Sequence, residues 1–86
     1  MKQKDINWTK HAEEKIGILK LHGFAVSKEF IEKAISNADK RGKTYKNRIV
    51  AQKGFDSTHV IRIIYEEYDE EIVIITFYPG RRSEYE

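Results

Sequence analysis

The sequence contains no cysteine. Disulfides, thiolate metal sites and a cysteine nucleophile are thereby removed, and a reducing compartment is the default. Proline occurs once, at position 79, and no linker, repeat or low-complexity segment interrupts the chain. The longest unbroken apolar run is residues 72–75, far short of the about 20 residues that a membrane span needs. No apolar stretch follows the charged opening Met1-Lys2-Gln3-Lys4-Asp5, so a secretory signal is not expected. The expectation is a cytoplasmic protein with no membrane contact. There is no Walker loop, GxGxxG, HExxH or GxSxG, which leaves nucleotide hydrolysis, dinucleotide redox and zincin chemistry without support. His11 and His22 lie eleven residues apart, about 16 Å along one helix, too far to share a metal. Neither a metal nor a cofactor is expected.

What is present is 86 residues, 40% hydrophobic and 35% charged, enough for one two-layer domain spanning 1–86. The net charge of +2 hides a split. Residues 1–53 hold 13 Lys/Arg against 6 Asp/Glu, and residues 54–86 hold 3 against 8. Lys40, Arg41, Lys43, Lys46, Arg48 and Lys53 follow one another with no acid between them. Such a stretch is either a solvated lysine-rich surface or a footprint for a polyanion.

The periodicity predicts two helices and then strands. Thr9 is placed to cap the first helix, with Ala12, Ile16 and Leu19 on one face and His22-Gly23 at its end. Ser27 caps a second, whose stripe is Phe30, Ile31, Ala34 and Ile35. Val26 and Ile31 have the spacing of a hydrophobic staple. From residue 46 the period becomes two. Strands are predicted over 47–53, 58–66 and 71–78, with Pro79 ending the last and 43–45 a candidate fourth. The fold class is therefore α+β, with two N-terminal helices packed on one face of a three- to four-stranded antiparallel sheet.

The groups able to carry chemistry are proton-transfer and anion-binding side chains. His11 and Lys15 project from the same side of the first helix. Thr76 and Tyr78 share a face of the last strand, with Arg81 and Arg82 just beyond it. His59 and Arg62 fall on opposite faces of the middle strand. A general base, a general acid and fixed cations are the parts a metal-independent ribonuclease needs. Each residue also has an ordinary alternative as a boundary histidine, a packing aromatic or a solubilising charge.

Trp8-Thr9-Lys10-His11-Ala12, with Lys15, Gly23 and Val26-Ser27, is similar to the opening of a small domain-of-unknown-function family with a His-Ala motif. The strand Ile72-Val73-Ile74-Ile75-Thr76-Phe77-Tyr78 resembles that family's final strand. Leu21-His22-Gly23-Phe24 and the closing Arg81-Arg82-Ser83-Glu84-Tyr85 resemble segments of the BrnT ribonuclease toxins, relatives of the RelE-like folds. The likeness covers about residues 7–81. It implies RNA as substrate, an antitoxin-type protein partner, and His11, Lys15, Tyr78 and Arg81 as catalytic residues. Lys15 stands where arginine is usual. Thr76-Phe77-Tyr78 stands where BrnT proteins carry Ser-Ala-Arg, so Arg81 would have to replace that arginine. Lys40, Arg41, Lys43, Lys46, Arg48, Lys53 and Arg82 would hold the nucleic acid. Two other readings share the sequence: a non-catalytic nucleic-acid-binding module, and a subunit that docks a protein through Tyr65, Tyr68 and Phe77. The sequence does not set the oligomeric state.

Overall fold

The structure is a computed structural model that describes residues 4–85. Residues 1–3, on which part of the signal-segment reading rests, lie outside the described residues. In order, the elements are β1 (Asp5–Trp8), α1 (Lys10–Leu21), α2 (Lys28–Ser36), β2 (Lys40–Lys43), a 3-10 turn (Tyr45–Asn47), β3 (Ile49–Gly54), β4 (His59–Glu67), β5 (Glu71–Arg81) and α3 (Arg82–Tyr85). The strands form one sheet in the order β1-β5-β4-β3-β2. All neighbours are antiparallel except β1, which runs parallel to β5.

The helix ends follow from local chemistry. Thr9 caps α1 by accepting from the Ala12 N–H, and Ser27 caps α2 by accepting from Phe30. Gly23 adopts φ 88°. This left-handed residue lets Phe24 N–H reach the Leu19 carbonyl and Gly23 N–H reach Lys20, closing α1 in a Schellman motif. The helical faces and strand alternation then meet in one core. Ala12, Leu19, Ile31, Ala34 and Ile35 pack on Ala51, Ile61, Ile63, Ile74 and Phe77. Each large side chain removed from water there contributes about 1.5–3 kcal/mol. Trp8 sets its ring edge-on to Phe77 at 6.0 Å and donates its indole N–H to Glu32, tying β1 to α2.

The α+β class with two helices on one sheet face holds, but the sheet has five strands and is mixed rather than three- to four-stranded and antiparallel. β1 carries only Ile6 and Trp8 as apolar residues, and its partner lies across most of the chain, Asp5 against Glu71. Four residues are too few to show a period. The strand beside β3 is Lys40–Lys43 rather than 43–45, an exposed edge with no apolar side chain. β5 runs through Pro79 to Arg81. β1 covers β5 only over residues 71–74, so no described strand awaits the missing Pro79 N–H on that edge. Tyr65 and Phe77, read as docking aromatics, are 2% and 0% exposed because the helices cover their face. Tyr68 alone of the three is open to solvent.

Candidate functional site

The face of the sheet turned away from α1 and α2 has a polar row at its middle. Alternation places Thr76 and Tyr78 of β5, Arg62 of β4, Gln52 of β3 and Lys40 of β2 on it. Arg62 and Tyr78 are register partners, as are Arg62 and Gln52. Arg62 Nε donates to the Tyr78 hydroxyl at 3.2 Å and its Nη1 to Gln52 Oε1 at 2.6 Å. Gln52 is the buried polar side chain of the described residues, and its Nε2 donates to the Tyr85 carbonyl at 3.2 Å. Lys40 Nζ donates to the same carbonyl at 3.0 Å. The Tyr85 ring lies over the Arg62 guanidinium, 4.2 Å from its centroid. A cavity of about 200 Å3 opens between Lys40, Gln52, Arg62 and Tyr85. Among the described residues neither Lys40 nor Arg62 pairs with a carboxylate.

His11 joins this row at one end. Thr9 Oγ1 donates to the Ile74 carbonyl at 2.9 Å, sharing the proton with Ile75 at 3.2 Å. The start of α1 is thereby pinned to β5 where the ladder is irregular: Ile64 faces Thr76 but Tyr65 faces Ile74, leaving Ile75 unpaired. Bulges of this kind re-aim side chains. Here the Thr76 hydroxyl meets His11 Nε2 at 3.2 Å. Tyr78 stands two residues further along the same face, about 7 Å away at strand spacing. Lys15 is half-buried one turn along α1, with no hydrogen bond or ion pair among the described residues.

Arg81 does not join them. It pairs with His59, five residues beyond Thr76, or about 16 Å along β5. There it lines a second cavity of about 470 Å3 with Ser57, Thr58, His59, Arg82 and Ser83. Asp56 organises that end. Its Oδ1 accepts from the N–H groups of Thr58 at 2.8 Å and His59 at 2.7 Å, and lies 3.1 Å from His59 Nδ1. The Thr58 N–H, with smaller help from His59, holds the Asp56 carboxyl below the usual carboxylate range. Arg82 Nε donates to the Asp56 carbonyl at 2.7 Å. This is a turn stitched to itself, with an acid at its centre.

The basic stretch is dispersed in the same way. Lys53 is paired with Asp39 at 3.3 Å and Arg48 with Glu66 at 3.4 Å. Arg41 points to the helix side and donates to the Ile35 carbonyl near the end of α2. Lys43 is exposed on the edge strand, and Lys46 sits in the 3-10 turn with φ 63°. Only Lys40 of the six reaches the open-face row. Among the described residues no three His, Asp or Glu side chains converge as a metal site.

Sequence reasoning passed over Gln52, and named Arg62 and Tyr85 without giving either a place in the site. A signal for Arg62 existed: it interrupts the apolar alternation of β4, flanked by Val60 and Ile64 on its own face. Its partners depend on register and were not readable. Comparison with family models, curated proteins and solved structures gave no match.

Proposed function

We propose that the protein binds single-stranded RNA across the open face of its sheet and cleaves it by transesterification. The observation that supports this most is Arg62, a guanidinium without a carboxylate partner among the described residues, held between Tyr78 and Gln52 beside Lys40. Such a group offers paired donors to a phosphate. In the reaction the ribose 2′-oxygen bonds to the adjacent phosphorus and the bond to the 5′-oxygen breaks. A 2′,3′-cyclic phosphate and a free 5′-hydroxyl result. His11 takes the 2′-hydroxyl proton, after its imidazole leaves Thr76. Tyr78, which accepts from Arg62 and so keeps its own O–H to give, protonates the departing oxygen. Arg62 and Lys40 offset the charge that gathers on the phosphoryl oxygens. Lys15 adds a cation beside His11. Arg81 and Arg82 lie outside this reaction and serve the turn at the other end.

The likeness to RelE- and BrnT-like toxins belongs to this proposal, as does an acidic antitoxin-type partner that would cover the same row. A second reading, a binding module without catalysis, is favoured by the engagement of His11 with Thr76 and by the cover over Arg62. Digestion of mixed-sequence RNA in EDTA separates the two. Cleavage leaving cyclic-phosphate ends, reduced about 100-fold or more by His11→Ala or Tyr78→Phe, is the expected outcome. A wild type no faster than the double variant removes the enzyme and leaves the binding module.

A further inference from the structure

The final turn of the described chain does not project into solvent. Arg82 to Tyr85 folds back on the open face, and two glycines make room for it. A Cβ on Gly80 would run into the Tyr85 ring, and one on Gly54 into the Arg82 guanidinium. Neither glycine has a left-handed backbone, so what each supplies is space. Tyr85 then presents two features to the row at once. Its aromatic ring stacks on Arg62, and its carbonyl oxygen receives the donors of Lys40 and Gln52. A flat π-system beside an acceptor oxygen is also what a nucleotide offers, in its base and its phosphate. Stacking on a planar group with cationic donors to the phosphate is how single strands are held.

We infer that Lys40, Gln52 and Arg62 form a nucleotide subsite whose occupant in the free protein is the chain's own Tyr85. The ring stands where a base stacks, and the carbonyl oxygen stands where a phosphate oxygen is bound. Nucleotide and final turn compete, so the turn must lift before RNA seats fully on Arg62. This deepens the reading of the open face as an RNA site and rests on it for the identity of the polymer, while the subsite itself is tested by a mononucleotide. The last turn carries Glu84 beside Tyr85, an acidic and aromatic pair that also suits a resident competitor.

The experiment measures binding of uridine 5′-monophosphate and of an eight-nucleotide single-stranded RNA to wild type, Tyr85→Ala, Gly80→Ala and Tyr85→Phe. Folding is checked by circular dichroism. Tyr85→Ala removes the competing ring, and Gly80→Ala displaces it without touching Tyr85. Both are expected to bind the mononucleotide about fivefold or more tightly than wild type, the lower end of what one base stack is worth. Tyr85→Phe keeps ring and carbonyl and should match wild type. Weaker or unchanged mononucleotide binding in the folded alanine variants overturns the inference, as does absence of binding in every protein. Should Tyr85→Ala fail to fold, Gly80→Ala against Tyr85→Phe decides the matter by the same criterion. Tighter mononucleotide binding with no RNA binding in any variant keeps the subsite and removes the RNA reading. RNA binding and cleavage with equal mononucleotide affinities does the reverse.

Discussion

The two ends of β5 carry similar side chains and arrange them differently. At the Thr76–Tyr78 end, His11, Tyr78, Arg62 and Lys40 lie on the open face with no carboxylate paired to them among the described residues, and Lys40 and Gln52 both donate to a carbonyl oxygen of α3. At the Arg81 end, the Asp56 carboxylate accepts from the Thr58 and His59 N–H groups and lies beside the His59 ring, while Arg82 donates to the Asp56 backbone carbonyl and Arg81 lines the adjoining cavity with Thr58 and His59. Both ends contain a histidine and cations, and the Arg81 end has the larger cavity. The difference is the acid. A carboxylate set beside the histidine repels an anionic ligand. A carbonyl dipole occupies the donors without cancelling their charge. Cavity size therefore says less about anion binding than what already fills the donors.

The largest expected effect that would break this contrast is catalytic. Arg62→Ala should lower RNA cleavage about 100-fold or more, the scale of losing a transition-state donor. Arg81→Ala and His59→Ala should stay within about threefold of wild type, since neither is predicted to touch the phosphate. Equal losses at both ends in a quantitative cleavage assay would erase the distinction. Next comes the salt dependence of binding. The affinity for single-stranded RNA should fall with salt at a log–log slope of about −0.7 per phosphate contact. Lys40→Ala should make that slope shallower by about 0.7, one contact, and Arg81→Ala should leave it alone.

A smaller effect concerns how His11 is placed. Thr9→Val removes the cap of α1 and the hydroxyl's bonds to β5, leaving the backbone bond from Thr9 N–H to the Ile74 carbonyl, and should cost about 1 kcal/mol in urea unfolding. Cleavage should fall with it, because the imidazole loses its mooring. Thr9→Ser, which keeps the hydroxyl, should restore most of both. The smallest effect is the pH response of the turn end. Backbone donors at Gly54 and Thr58 hold the Asp39 and Asp56 carboxyls below their usual values. Their stabilisation is therefore fully present above the unfolded carboxylate range near about pH 4 and fades as pH falls through the lower folded values. Melting temperature should be level from neutral pH down to about 5 and drop below about 4, with Asp56→Asn blunting the drop and His11→Ala leaving its shape unchanged. An acid limb identical in Asp56→Asn and wild type would show that the carboxylate does not anchor the turn.

Much of the frame was readable because it is local. Thr9 and Ser27 as caps, Gly23 as a helix stop and the alternation of residues 59–65 are each written within a few residues. So was the shared face of Thr76 and Tyr78. What escaped depends on pairing between distant segments. β1 is defined by β5, some 66 positions on, and β2 has no apolar residue to betray it. Pro79 read as a stop because its edge could not be known to lack a neighbour. The association of Arg81 with His11 failed to form because strand length set them apart, while Arg62 reached Tyr78 through register alone. The basic stretch looked continuous in sequence, but alternation turned Lys40 and Arg41 to opposite faces and ion pairs absorbed Arg48 and Lys53.

Backbone amide NMR of the full chain during addition of a short single-stranded RNA tests the central claim most directly. The account predicts shifts concentrated at residues 40, 52, 62 and 76–78, with the amides of 82–85 moving as the final turn lifts. Shifts confined to residues 56–59 and 81, or none at low salt, would contradict it.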